Sequence, residues 1–264
     1  MRIGFIGAGR MGAPMVRRLA EAGHQVQALG RDNEKRSAVA ELGAQPVDSA
    51  IAAVRDADVT IICLFTDEQV RELCLDKGLI DELPAGSALV LHTTGSPHTA
   101  EALAERGATR GVAVIDAPVS GGPHDIAAGT VTVFAGGDED AVTRAREVLA
   151  AYADPVLHVG PVGAGQRVKL VNNALFAAQI GAVAESVRLG DRLGIDEATL
   201  LTALTHGSAA SRALGAIAAT GSADAFIARV GEFIGKDVAV VRRTASELYS
   251  DLGQLEGLLD AALK

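Results

Sequence analysis

The chain has no tryptophan, and aromatic residues make up only 3% of its 264 positions. Few flat rings remain for bases to stack on, which argues against single-stranded nucleic acid as a partner. Positive charge is also scarce: 24 Lys and Arg face 33 Asp and Glu, for a formal net charge of −9. No basic stripe runs along the chain, so duplex nucleic acid is argued against as well. Cys63 and Cys74 are the only cysteines. Neither their number nor their spacing fits a disulfide framework or a metal site. His92, His98, His124, His158 and His206 show no paired ligand spacing, so no metal is expected. No window holds the ~18 consecutive apolar residues of a membrane span. The N-terminus enters a strand pattern at once, without an apolar h-region or cleavage site. A cytoplasmic protein with reduced thiols is the resulting expectation.

What the chain does have is alternation. Short apolar strands at Ile3–Ile6, Val26–Leu29, Val59–Leu64, Ala88–Leu91 and Val112–Ile115 are separated by helical stretches of about ten residues. That order describes βαβ units and a parallel sheet covered on both faces. Thr130–Ala135 and Val156–Val159 add further strands. From Gln166 to Leu193 there is no strand signal and no proline, and apolar residues fall at helical spacing. About 28 helical residues would span about 42 Å. Gly181 and Gly190 within this run are unfavourable by propensity, so their expected use is close approach of another helix. Helices are also predicted over Asp196–Thr205, Ser211–Thr220 and Lys236–Tyr249. The fold class is therefore α/β. A Rossmann-type doubly wound sheet is followed by an all-helical C-terminal domain, joined by a long interdomain helix. The boundary is expected near Gly160-Pro161, giving a dinucleotide-binding domain over 1–160 and a helical substrate and oligomerisation domain over 161–264.

Two motifs carry chemistry. Gly7-Ala8-Gly9-Arg10-Met11-Gly12 has the G-x-G-x-x-G spacing, directly after a strand and opening a helix. Gly7 permits the tight turn, Gly9 lets backbone approach a pyrophosphate, and Gly12 lets helix and strand pack closely. A bound dinucleotide is the expectation, with S-adenosylmethionine as a rival ligand. Arg31 stands at the end of the second strand, where the ribose should lie, with Asp32 beside it. An arginine there suits the 2′-phosphate of NADP, and an acidic residue suits the 2′-OH of NAD. NADP is favoured, with NAD as the alternative. The second motif runs from Gly163 to Asn173. It sets Lys169 and Asn173 four apart, on one helix face. A cation beside a fixed amide suits a carbonyl or alcohol that must gain or lose a proton.

Four separated segments together resemble the β-hydroxyacid dehydrogenases, which include 3-hydroxyisobutyrate dehydrogenase and tartronate semialdehyde reductase. They are Gly7 to Met15, Asp116-Ala117-Pro118-Val119-Ser120-Gly121-Gly122, Gly163 to Asn173, and Lys236-Asp237-Val238. The resemblance implies that Lys169 is the catalytic lysine and Asn173 a substrate-binding asparagine. It also implies that Ser120, Gly121 and Gly122 hold a substrate carboxylate. Leu64, Phe65 and Thr94 then fall beside the cofactor, Lys236 at its nicotinamide end on a helix start, and Arg31 matches the arginine of the NADP-preferring branch. Phe65 replaces a usual proline. Gly30 and Asp32 stand where that branch often has Asn and Thr, and the chain stops earlier than most members. The reaction implied is hydride transfer between NADP(H) and a small 3-hydroxy acid or semialdehyde, with a homodimer or higher homo-oligomer as the assembly. Desolvation and a neighbouring cationic nicotinamide should lower the working pKa of Lys169. An imine reductase and a non-catalytic nucleotide-binding protein are the alternatives on the same fold. The first usually replaces the lysine, and an intact Lys169–Asn173 pair argues against the second.

Overall fold

The computed structural model describes residues 1–263. Lys264, the last residue of the expected 161–264 domain, and the side chain of Glu232 lie outside the described residues. The chain forms two compact units, Met1–Lys169 and Leu170–Lys264.

The first unit is built on β1 (Arg2–Ile6), β2 (Gln25–Leu29), β3 (Gln45–Val47), β4 (Val59–Ile62), β5 (Ala88–Leu91) and β6 (Ala113–Asp116). They lie in the order β3-β2-β1-β4-β5-β6, all parallel. This is the doubly wound dinucleotide order. The sheet continues through β8 (Val131–Gly136), which pairs antiparallel with β6 and with the short β7 (Val119–Ser120). β9 (Ala153–Gly160) then pairs parallel with β8. Strand side chains alternate between the two faces. Ile61, Val90 and Ile115 enter one apolar cluster, and Ile62, Leu89, Leu91 and Val114 the other. Both faces are thus buried, which is why these strands read as near-continuous apolar runs.

The helices of this unit are α1 (Gly12–Glu21), α2 (Asn33–Glu41), α3 (Ala50–Val54), α4 (Asp67–Arg71), α5 (Pro97–Ala108), α6 (Pro123–Ala128) and α7 (Glu139–Leu149). Side chains of Asp32, Ser49, Thr66 and Asp138 accept backbone N–H bonds at the starts of α2, α3, α4 and α7, as N-caps should. After Arg71, α4 continues directly into a π-helical turn, Glu72–Asp76.

The long helix is α8 (Ala164–Arg192), 29 residues. The second unit takes its outer part together with α9 (Glu197–Thr205), α10 (Arg212–Thr220), α11 (Ala223–Glu247) and α12 (Leu255–Ala261). Its core joins Ile180, Val183, Leu201, Leu214, Ile217, Val238, Val241 and Leu259. The close approaches expected at the two helix glycines are found. A Cβ at Gly181 would lie 2.2 Å from the Leu258 carbonyl oxygen, and one at Gly190 2.5 Å from Leu200. The helix expected from Lys236 instead begins at Ala223, so Lys236 sits mid-helix rather than at a helix start. Gly231 and Gly235 mask the earlier turns in sequence. Among the described residues no single helix is long and apolar enough to cross a membrane.

Candidate functional site

The three glycines of the first turn have three different surroundings. Gly7 has φ +106°, and a Cβ there would lie 2.2 Å from the Cys63 carbonyl oxygen. A Cβ at Gly12 would lie 2.1 Å from the Gly7 oxygen and 2.9 Å from the Phe5 ring. Gly9 has no atom within 4 Å of that position. Two glycines are therefore demanded by packing, and the third leaves an open backbone surface ahead of α1. That matches the division of labour in a pyrophosphate-binding turn. Arg10 is exposed there and Met11 half-buried.

Arg31 follows β2 and is exposed. Asp32 Oδ1 accepts the Lys35 N–H at 2.8 Å, so its carboxylate caps α2. Arg36 donates to the Gly30 carbonyl at 3.3 Å, and a Cβ at Gly30 would lie 2.7 Å from the Arg36 side chain. Leu64 and Phe65 follow β4; Phe65 is 56% exposed. The Thr93 hydroxyl accepts the Leu64 N–H at 2.9 Å and donates to the Leu64 carbonyl at 3.1 Å, tying the loop after β4 to the loop after β5. Thr94 is the next residue, half-buried.

The start of α8 is bound into this same edge. Asp116, fully buried at the end of β6, accepts the Gly163 N–H on Oδ1 at 2.6 Å and the Gln166 N–H on Oδ2 at 2.7 Å. It satisfies donors that a helix start leaves without an intrahelical acceptor. Burial pushes its carboxyl up to about 7, against the pull of those N–H groups and of the Arg167 charge. The backbone packs equally tightly: a Cβ at Gly165 would lie 2.4 Å from the Phe134 oxygen and 2.6 Å from the Asp116 carbonyl oxygen. Gln166 is buried; its Oε1 accepts the Gly95 N–H at 3.0 Å and its Nε2 donates to the Thr93 carbonyl at 2.9 Å. On the other side of Gly95, a Cβ would lie 2.1 Å from Asp67 Oδ1. Burial raises the Asp67 carboxyl, although the Thr99 hydroxyl donates to it at 2.8 Å.

Next to Thr93, His92 is buried with Nδ1 2.6 Å from the Ala117 oxygen and Nε2 2.7 Å from the Tyr152 hydroxyl. The carbonyl only accepts, so Nδ1 carries the proton and Nε2 accepts from tyrosine. Burial holds this imidazole down at about 4, hence neutral.

Ser120 pairs with Thr132 in the sheet, and Gly121 has φ +135°. The Gly122 N–H donates to Asp125 Oδ2 at 2.6 Å. This N–H of the loop expected to hold a carboxylate is thus engaged within the loop itself. Lys169 stands one helical turn beyond Gln166, half-buried. The Gly7–Gly12 turn, Arg31, Leu64, Phe65 and Thr94 thus follow the carboxyl ends of the parallel strands β1, β2, β4 and β5, and Ser120–Gly122 lies at and after β7, which pairs antiparallel with β8. Asn173 and Lys236 fall in the second unit. Asn173 Oδ1 accepts from the Asn172 amide at 3.3 Å. Its Nδ2 is buried with no hydrogen-bond partner among the described residues. Lys236 Nζ lies 3.8 Å from Asp237 Oδ1. Among the described residues no group of three or more His, Cys, Asp or Glu could hold a metal.

Residues 2–160 match the family model for the NAD binding domain of 6-phosphogluconate dehydrogenase. Residues 163–256 match the model described as NAD-binding of NADP-dependent 3-hydroxyisobutyrate dehydrogenase. The chain belongs to the β-hydroxyacid dehydrogenase family. A 3-hydroxyisobutyrate dehydrogenase from Pseudomonas aeruginosa is 36% identical over 80% of this chain and 72% of its own length. An NAD-dependent L-serine dehydrogenase from the same organism is also 36% identical, over 81% of this chain and 72% of its own length. The structure of Mycobacterium tuberculosis 3-hydroxyisobutyrate dehydrogenase with L-serine superimposes with a TM-score of 0.88 at 30% identity, covering 98% of this chain and 91% of that one. The protein is a 3-hydroxyisobutyrate dehydrogenase-like oxidoreductase that uses an NAD(P) cofactor. Asp116, Gln166, His92 and Thr93 are buried, hydrogen-bonded side chains of this candidate site to which sequence reading assigned no role. The one local signal was Gln166, which shares a helix face with Lys169 at three-residue spacing.

Proposed function

We propose that the chain transfers hydride between NADP(H) and a small 3-hydroxy acid or its semialdehyde, with Lys169 as general acid and base. The observation that carries this reading is the anchoring of the lysine's helix. Its first turn is bonded through Asp116 and Gln166 to the end of β6 and the loop bearing Thr94. A nicotinamide, when bound, supplies or accepts the hydride. In reduction, Lys169 donates a hydrogen bond and then a proton to the carbonyl oxygen; in oxidation it takes that proton back. Asn173, one turn further along the helix, offers its unpartnered Nδ2 to the substrate. Ser120 and Gly121 hold the carboxylate beside Gly122, whose own N–H is engaged with Asp125. Gly7, Gly9, Arg10, Met11 and Gly12 meet the pyrophosphate, and Leu64, Phe65 and Thr94 flank the cofactor. Lys236 belongs to its nicotinamide end by resemblance. Arg31 meets the 2′-phosphate, and support comes from Asp32, whose carboxylate is turned into its own helix.

The functional division is a dinucleotide-binding domain over 1–160 and a helical substrate and oligomerisation domain over 161–264. A homodimer or higher homo-oligomer belongs to the same proposal, supported by Leu189, 50% exposed on α8, and Leu193, 67% exposed just after it. So does a cytoplasmic location, supported by the free thiols Cys63 and Cys74. The test is turnover with NADPH and NADH against a panel of semialdehydes, ketones and imines, and with NADP⁺ and NAD⁺ against 3-hydroxyisobutyrate and L-serine. Lys169→Ala should abolish turnover and leave NADPH binding intact. Turnover restricted to imines, or nucleotide binding with no turnover at all, would replace the proposal.

A further inference from the structure

We propose that Gln166 is a positioning residue that fixes the cofactor loop carrying Thr94 against the helix turn carrying Lys169. The inference rests on the reading of Lys169 as the proton donor. The Gln166 carboxamide uses both ends on one short stretch of backbone, taking the Gly95 N–H and donating to the Thr93 carbonyl. Its own N–H is held by Asp116. Thr94 is therefore bracketed on both sides by one side chain, which lies one helical turn from Lys169. Thr93 in turn holds Leu64 through its hydroxyl. A single carboxamide thus links the loops after β4 and β5 to the start of α8.

This arrangement needs one donor and one acceptor, which is what a neutral carboxamide has. A protonated carboxylic acid of nearly the same shape has both as well. An ionised carboxylate has only acceptors, and one of its oxygens would face the Thr93 carbonyl oxygen. Gln166→Glu therefore makes the link switchable by pH. Its charged neighbours are Asp116, bonded to its backbone, Asp67, which lines the same small cavity with Thr93, Ser96 and Thr99, Arg71, which donates to Thr99 at 3.4 Å, and Arg167 and Lys169 on its own helix. Burial and the two carboxylates raise the pKa of the introduced acid, and the three cations oppose them.

The experiment compares wild type, Gln166→Leu, Gln166→Glu and Lys169→Ala from about pH 5.5 to 8.5, each variant normalised to wild type at the same pH. NADPH affinity is followed by fluorescence titration and turnover by oxidation of 3-hydroxyisobutyrate. Gln166→Leu should weaken NADPH about 10-fold at every pH, the cost of a lost buried hydrogen bond. Its kcat should fall about 100-fold, the scale of an ångström misplacement, with KM for the acid changed less than about threefold. Gln166→Glu should match Gln166→Leu at the alkaline end and recover to within about threefold of wild type at the acid end, since only the protonated acid can donate. Wild-type NADPH affinity in Gln166→Leu, or a Gln166→Glu deficit that does not change with pH, overturns the proposal. If Gln166→Leu does not fold, the Gln166→Glu titration decides alone. If Lys169→Ala keeps wild-type turnover, the lysine reading fails while the NADPH titrations still judge Gln166. Those titrations also decide if 3-hydroxyisobutyrate is not turned over.

Discussion

His92 Nε2 lies 2.7 Å from the Tyr152 hydroxyl, both side chains fully enclosed between the end of β5 and the start of β9. Burial holds the imidazole at about 4, well below its ordinary 6.5. The unfolded chain therefore binds this proton more readily than the native one between those values. Stability from His92 is complete above pH 6.5 and is lost as pH falls through about 4. Asp116 has the opposite sign: its carboxyl is raised from 3.8 to about 7, so its contribution declines as pH rises through that interval. His92→Asn removes only the first titration. It should lower stability near neutrality by about 1–3 kcal/mol, because one of two buried partners loses its bond. Its stability should nevertheless fall less steeply than that of wild type on going from pH 6.5 to 4. Urea unfolding at a series of pH values measures both effects, and parallel curves for the two proteins would refute the assignment.

The glycines of the two motifs should part company when replaced by alanine. At Gly165 the new methyl meets two backbone carbonyl oxygens, of Phe134 at 2.4 Å and of Asp116 at 2.6 Å, and the Asp116 carboxylate at 2.9 Å. Neither carbonyl can rotate away, so helix or sheet must shift. A loss of about 3 kcal/mol or more is expected, with activity lost as well. At Gly9 nothing lies within 4 Å. Gly9→Ala should fold with an unchanged thermal midpoint and weaken NADPH, since the methyl occupies space left for the pyrophosphate. Thermal melts and nucleotide titrations of the two variants provide the check; a strongly destabilised Gly9→Ala would contradict it.

Asp116→Asn keeps the shape of the helix anchor and removes one acceptor. Its Nδ2 would face an N–H of Gly163 or Gln166, two donors at hydrogen-bond distance. A destabilisation of about 2–3 kcal/mol is expected. Because the site anchors the turn before Lys169, amide exchange over residues 163–168 should accelerate more than exchange at the Gly7–Gly12 turn. Uniform acceleration across the first unit would mean that Asp116 serves general stability alone.

The readability of this chain followed the range of its interactions. Parallel strands buried on both faces announce themselves as apolar runs, so β1, β4, β5 and β6 were visible, β5 with its exact bounds and the others to within one or two residues at each end. The three residues of β3 are Gln45, Pro46 and Val47, followed by Asp48, so no apolar run marks that strand. α6 begins with Pro123 inside what looks like a glycine-rich connection, and the early turns of α11 hide behind Gly231 and Gly235. The site divides in the same way. Gly7, Gly9, Gly12, Lys169 and Asn173 are local patterns. Asp116 acts on partners 47 and 50 residues away, and Gln166 on partners 71 and 73 away. No spacing rule reaches that far without a fold to close the distance.

The cofactor preference proposed above rests on two adjacent side chains of opposite charge. Asp32 stands where an acidic residue could hold a ribose diol, yet its Oδ1 accepts the Lys35 N–H at 2.8 Å as the cap of α2. Arg31 remains exposed at the strand end. A guanidinium paired with a phosphate is a charge-assisted contact, so Arg31→Ala should weaken NADPH about 10–100-fold and NADH less than about threefold. Asp32→Asn separates capping from ribose binding, because asparagine caps a helix about as well as aspartate. With Asp32 acting only as a cap, the variant should keep its thermal midpoint, bind NADH as wild type does, and bind NADPH more tightly once a negative charge beside the 2′-phosphate is gone. Were Asp32 a ribose ligand, the same substitution would loosen NADH selectively. Parallel titrations of wild type and both variants with the two nucleotides distinguish these outcomes, and a selective loss of NADH affinity in Asp32→Asn would reverse the preference argued for Arg31.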